Sequence, residues 1–175
     1  MQNFLGETAP DFSDPLALLT ACHGRMLGLC ELLERLPAHQ ATHGNDDELS
    51  AAANRLLRYF DQAAPLHHQD EEQDLLPLLG GRLEPEIRHR LETEHEEQHA
   101  LWARLRTDLL AAVDGRARPL EAARIHAFVE ACRDHIAFEE TQVLPLARTA
   151  LNAEALARLG QAMAARRGLS DRELP

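Results

Sequence analysis

Apolar residues recur along this chain at alternating steps of three and four, the period of helices that each bury one stripe. The first stripe holds Leu16, Leu19, His23, Met26, Cys30 and Leu33, and the second Leu57, Phe60, Ala64, His67, Glu71 and Leu78. The third holds Leu91, His95, Trp102, Leu105 and Leu109, and the fourth Ile125, Phe128, Cys132, His135, Glu139, Val143 and Leu146. Capping and breaking residues set the boundaries. A first helix opens at Asp14, with Pro15 at its first position, and is expected to end near Pro37, before a polar loop over 38–45 that contains His39 and His43. The second runs from about Asp46 to Leu79 and stops at Gly80-Gly81. The third spans Glu84-Pro85 to Asp114-Gly115, and the fourth runs from near Pro119 to about Ala150. A shorter fifth helix, about Asn152 to Arg167, ends at Gly168. Pro65 predicts a kink within the second helix, whereas Pro77 and Pro145 fall near helix ends. Short links make consecutive helices antiparallel neighbours. The expected fold is therefore all-α: an antiparallel up-down-up-down four-helix bundle with a short additional C-terminal helix. Residues 1–13 form an N-terminal arm, 14–150 the bundle, and 151–175 the last helix and a loose tail.

Composition narrows the classes of function. The 175 residues carry 18 basic and 29 acidic side chains, a net charge of −11 that repels phosphate backbones and anionic lipid. No apolar run approaches the roughly 20 residues that span a bilayer, and Met1 to Pro10 lacks the basic and apolar regions of a signal peptide. The three cysteines, Cys22, Cys30 and Cys132, form no CxxC pair, so they read as small apolar fillers and the expected location is a reducing cytoplasm.

Ten histidines stand out against this plain background. Each of the four stripes contains one, and two stripes also contain a glutamate. His67/Glu71, His95/His99 and His135/Glu139 are four apart, so each pair shares a helix face. At about 1.5 Å of rise per residue, these six and His23 all lie at a similar height in a bundle of this topology. A buried imidazole or carboxylate without a partner costs several kcal/mol, and two carboxylates facing each other cost more unless cations lie between them. The economical reading is a pair of metals. Imidazole with carboxylate suits iron, manganese or zinc and disfavours magnesium and calcium. With Glu71, Glu139 and an oxygen bridging, His95, His99 and His135 fill one metal. His23 and His67 leave the other with one open position.

The register of the second helix has a rival in His68/Glu72. Its stripe continues through Pro65, Asp61 and Arg58, which is solvent-like, so His67/Glu71 is expected to face inward. Glu72 and Glu140 are then expected as solvated charges, as is the run Glu92, Glu94, Glu96 and Glu97. The competing place for His99 is outside the metal shell or at the surface, beside Gln98. His39, His43, His89 and His126 read as solvent histidines, and Tyr59, Trp102 and Phe138 as packing residues.

An internal repeat aligns His67 to Pro77 with His135 to Pro145 in the shared pattern HxxxEExx, two apolar residues and Pro. With the lone His23, the HxxxH of the third helix and the two HxxxE pairs, the chain over roughly 14–150 resembles the hemerythrin family, in its HHE cation-binding branch. The resemblance implies a non-haem di-iron centre with a bridging oxo or hydroxo group, held by His23, His67, Glu71, His95, His99, His135 and Glu139, with both glutamates bridging. Oxygen-carrying hemerythrins instead end in a histidine followed five residues later by aspartate, and some members of the HHE branch lack the second histidine of the third helix. The function expected is binding of O2 or a related diatomic such as NO, for sensing, storage or scavenging. The alternative is a redox enzyme or stress-response protein that reduces peroxide or NO, or donates iron for cluster repair. A ferritin-like centre, with more carboxylates than histidines, fits less well.

Overall fold

The computed structural model describes residues 11–116 and 118–169, and all of their regular structure is helical. The expected N-terminal arm and tail therefore lie largely outside the described residues. Helix α1 is Pro15–His43; the Asp14 side chain accepts from the Ala17 amide and Pro15 pre-sets the first turn. It does not end near Pro37. The helix continues to His43 and closes on Gly44 (φ 72°), so most of the expected loop is its last turns. Helix α2 runs over 47–79 and α3 is Pro85–Val113. Helix α4 runs over 122–150, and α5 is Ala153–Arg166, capped by Asn152. Each of the four long helices packs on two others: α1 on α2 and α4, and α3 on α2 and α4. Helix α1 is long and apolar enough to cross a membrane, although the sequence reading found no such run. Its apolar stripe, from Leu16 to Leu36, is buried within the protein.

Helices α2 and α4 are not uniform α-helices. Five-residue π turns interrupt them at Tyr59–Ala63, Glu71–Leu75 and Glu139–Val143. A proline follows each, at the second position of the next α-helical segment: Pro65, Pro77 and Pro145. A proline ring in a helix crowds the carbonyl four residues back and supplies no N–H. Here the residue before each proline bonds five residues back instead: Ala64 to Tyr59, Leu76 to Glu71 and Leu144 to Glu139. The expected kink at Pro65 is thus one of three proline-linked π turns. Each advances the helix phase, which explains a slip in the expected stripes. Beyond the second and third turns, Leu76, Leu79, Leu144 and Ala147 are buried, and Leu78 and Leu146 are only partly buried.

The interior has two apolar clusters. One contains Met26, Leu33, Phe60, Trp102, Leu105 and Phe128; the other contains Leu19, Leu76, Leu79, Leu91, Val143 and Leu159. Trp102 packs as expected, 4.8 Å from Phe60 and 5.5 Å from Phe128 between ring centroids. Cys30 and Cys132 are buried fillers, Cys22 is half-buried, and all three are free. Contact with Cys30, together with burial, pushes the Cys132 thiol up.

Helix α5 packs on α1 and α2. At Gly160 the absence of a side chain lets the Phe12 backbone lie against it; a Cβ would fall 2.0 Å from the Phe12 carbonyl oxygen. At its C-terminal end, Arg166 and Arg167 grip the fully buried Asp70 of α2, the latter at 2.7 Å, and Arg166 also reaches Asp74 at 2.6 Å. Replacing both arginines with alanine strands a buried carboxylate, so unfolding free energy should fall by about 3 kcal/mol or more. A urea transition unchanged from wild type would contradict this role for α5.

Candidate metal centre

Between the two apolar clusters lies a polar layer. His23 from α1, His67, His68 and Glu71 from α2, His95 from α3, and His135 and Glu139 from α4 are each no more than 4% exposed. Three overlapping groups each bring one ligating atom per residue to within 4.8 Å of the others: His23 with His67, Glu71 and Glu139; His68 with His95 and His135; and Glu71 with His95, His135 and Glu139. The two carboxylates belong to both halves of the layer. Glu71 Oε1 lies 3.1 Å from His67 Nε2, and Glu71 Oε2 lies 3.4 Å from His95 Nε2. Glu139 Oε2 lies 3.1 Å from His23 Nε2 and 3.4 Å from His135 Nε2.

Six of the seven side chains expected here meet in this layer. His99 does not. Its ring is exposed, and its Nε2 meets His68 Nδ1 from outside at 3.0 Å. The inward stripe of α3 passes through Gln98 instead, so His99, one residue on, is turned outward. His68 occupies the interior in its place, stacked on His95 with centroids 4.0 Å apart.

His67 faces inward as expected, but the expectation that the His68 register faces solvent fails because α2 is covered on three sides at this level. His67 faces His23 of α1, with centroids 4.9 Å apart, His68 faces α3, and Asp70 faces α5. The π turn at Tyr59–Ala63 also breaks the stripe that linked His68 to Asp61 and Arg58. The other histidines behave as read. His89, His126 and His43 are exposed, and His39 is a partly exposed partner of Asp46 at 2.9 Å.

Glutamates expected as solvated charges turn out to hold the histidines from outside. His23 Nδ1 donates to Glu140 at 2.7 Å, His95 Nδ1 to Glu72 at 2.6 Å, and His135 Nδ1 to Glu94 at 2.9 Å. Such a bond fixes the tautomer and directs the other ring nitrogen inward. The doubled His-His and Glu-Glu of 67–72, and the Glu-Glu repeated at 139–140, were the available signal: one residue of each glutamate pair faces the centre, and the next braces a ring from behind.

The layer does not satisfy itself. His23 Nε2, His68 Nε2, both oxygens of Glu71 and Glu139 Oε2 are buried without an aligned hydrogen-bond partner. Groups this costly to bury face one another closely yet point past one another, which is the arrangement expected around a cation. Nitrogen and carboxylate oxygen are the donors that iron, manganese and zinc take. The residues fit a metal pair.

Without metal, protons take that place. Burial, the largest influence, disfavours the His23 imidazolium, but the Glu139 and Glu71 carboxylates outweigh it and raise His23 to about 11. His95 is raised to about 9 by Glu71 and Glu72 against the same burial. Burial lowers His67, and drives His68 well below the usual imidazole range with the neighbouring imidazoles adding to the effect. Burial and Glu139 oppose ionisation of Glu71, and the histidines around it reverse the sign, so Glu71 stays below its ordinary range.

Residues 14–147 match the hemerythrin HHE cation-binding domain family. A relative in Haemophilus influenzae, described as an uncharacterized protein, is 31% identical over 163 residues, covering 91% of this chain and 94% of its own. The chain belongs to the hemerythrin HHE cation-binding domain family.

Because His23 and His95 keep their protons at pH 7 in the metal-free chain, a metal must displace them. Loading zinc at neutral pH in weak buffer should acidify the solution, and affinity should fall as pH is lowered. Uptake with no proton release would show that these two imidazoles do not face the cation.

Proposed function

We propose that the chain is a non-haem di-iron protein, an antiparallel up-down-up-down four-helix bundle that binds O2 or a related diatomic such as NO for sensing, storage or scavenging. The observation that carries this reading is the donor count: five buried imidazoles and two buried carboxylates in one layer, with the carboxylates common to both halves. His68, His95 and His135 would hold one iron and His23 and His67 the other, with Glu71 and Glu139 placed to be shared between them. His68 here takes the place that the sequence reading gave to His99. The total of five nitrogens is unchanged, and so is the asymmetry of three against two. With a bridging oxo or hydroxo group, the three-histidine half would leave its metal no free position, and the two-histidine half would leave one for a ligand. An iron pair held by these residues would supply the electrons on which diatomic binding depends.

The chain's own residues account for the rest. Glu72, Glu94 and Glu140 orient His95, His135 and His23, while the Phe60, Trp102 and Phe128 layer and the leucines on the other side exclude water. Zinc and manganese suit the same donors, so the metal is fixed by supply as well as by the site. The net charge of −11 supports a chain that meets neither nucleic acid nor anionic membrane, and its three free cysteines support work in a reducing cytoplasm. The single open position favours reversible binding over the alternative of turnover with peroxide or NO.

His68→Ala should sharply lower the metal held after purification. His99→Ala should weaken binding by no more than about 10- to 100-fold, as expected for a residue behind a ligand. The opposite order in metal analysis would restore His99 to the shell. Reduced, iron-loaded protein mixed with O2 in stopped flow should give an optical adduct that persists and reverses when O2 is removed. Immediate oxidation without an adduct would remove the binding function.

A further inference from the structure

All eighteen basic residues of this acidic chain are arginines. Several are engaged with carboxylates, among them Arg106 with Asp61, Arg124 with Asp108 and Arg133 with Glu34, and others stand singly on the surface. Arg25 of α1 and Arg55 and Arg58 of α2 have no carboxylate partner among the described residues. All three are exposed and line one groove between α1 and α2, of about 310 Å³. Leu29, Tyr59, Gln62 and Ala63 complete its lining, with no acidic side chain there among the described residues. Arg55 and Arg58 are three apart and share a face. A basic patch with an apolar floor on a chain of net charge −11 is the only kind of surface on which an acidic partner is drawn in rather than repelled.

The position of the groove matters as much as its charge. Its two walls are the helices that carry His23 and His67. The Tyr59 hydroxyl donates to the carbonyl oxygen of Cys22 at 3.2 Å, and Cys22 is bonded to His23. Ala63 lies one helical turn from His67. The groove thus stands over the half of the polar layer with two histidines, joined to it by short bonded paths. No buried polar side chain points into it, so it is not built to enclose a small ligand; exposed guanidinium groups around a shallow apolar floor suit a protein surface.

We propose that Arg25, Arg55 and Arg58 form the docking site for a small acidic electron-donor protein, which delivers electrons to the metal pair through the α1–α2 wall. This rests on the reading of the centre as a redox-active metal pair. In the step itself, one electron leaves the reduced donor and one ferric ion becomes ferrous, with no bond made or broken in the docking residues.

A flavodoxin, acidic and of known potential, serves as the probe in two measurements. In the first, iron-loaded protein is reduced by flavodoxin hydroquinone or by dithionite, which needs no docking. The flavodoxin rate should fall roughly 10-fold or more between low and high salt. It should fall by a similar factor in the Arg25→Glu/Arg55→Glu/Arg58→Glu variant, with the dithionite rate and metal content unchanged. A variant reduced by flavodoxin as fast as wild type overturns the proposal. In the second, oxidised flavodoxin is added to the zinc-loaded full chain, which is redox-silent, and backbone amide shifts are recorded. Shifts centred on Arg25, Arg55, Arg58 and Tyr59 support the docking site even if the iron centre proves inert, which would fail the functional reading alone. Shifts centred elsewhere, or none, overturn it.

Discussion

The structure depends on one constraint: a layer of imidazoles and carboxylates is sealed between two apolar clusters, and no group among the described residues satisfies it completely. Burying His23, His67, His68, His95, His135, Glu71 and Glu139 at the same level would be ruinous for an ordinary core. The surrounding helices tolerate it because every donor faces a common interior and most rings are fixed from behind. The clusters above and below, from Met26 to Phe128 and from Leu19 to Leu159, supply the stability and keep water from relaxing the polar groups.

The proline-linked π turns are how two helices meet this demand. Each of the bridging candidates, Glu71 and Glu139, is the first residue of a π turn, and a proline lies six residues later. The wider turn shifts the phase, so that a glutamate can enter the centre while the leucines beyond it still find the second apolar cluster. Such turns recur at functional sites because they let a helix aim side chains that a regular period would send elsewhere. The in-register repeat between 67–77 and 135–145 is the same device used twice.

Charge is arranged in shells. Glu72, Glu94 and Glu140 sit at the edge of the interior, where water reaches them, and steady the buried rings. His99 does the equivalent for His68 with a second imidazole. Further out, Asp70 is wholly buried and is compensated by Arg166 and Arg167 from the last helix, which ties α5 to the helix that contributes most to the centre.

The sequence by itself determined the helices, their apolar stripes and the family. Periodicity and capping located all five helices, with boundaries shifted mainly at Pro37, where a helix already established by its flanking turns runs on. Spacing also picked out His67, Glu71, His95, His135 and Glu139, because residues four apart on a helix must share a face, and it picked out His99 by the same rule, wrongly; His23 was found by its place in the first stripe and its height in the bundle. The tertiary structure decided the rest. Whether His68 or His99 entered the layer depended on two things no single-helix pattern contains: the phase shift of a π turn, and the covering of α2 on three sides by α1, α3 and α5. The roles of Glu72, Glu94 and Glu140 were hidden for the same reason. A carboxylate on the rim of a helix is solvent to its own helix, and becomes a partner only when a neighbouring helix brings a histidine ring within reach.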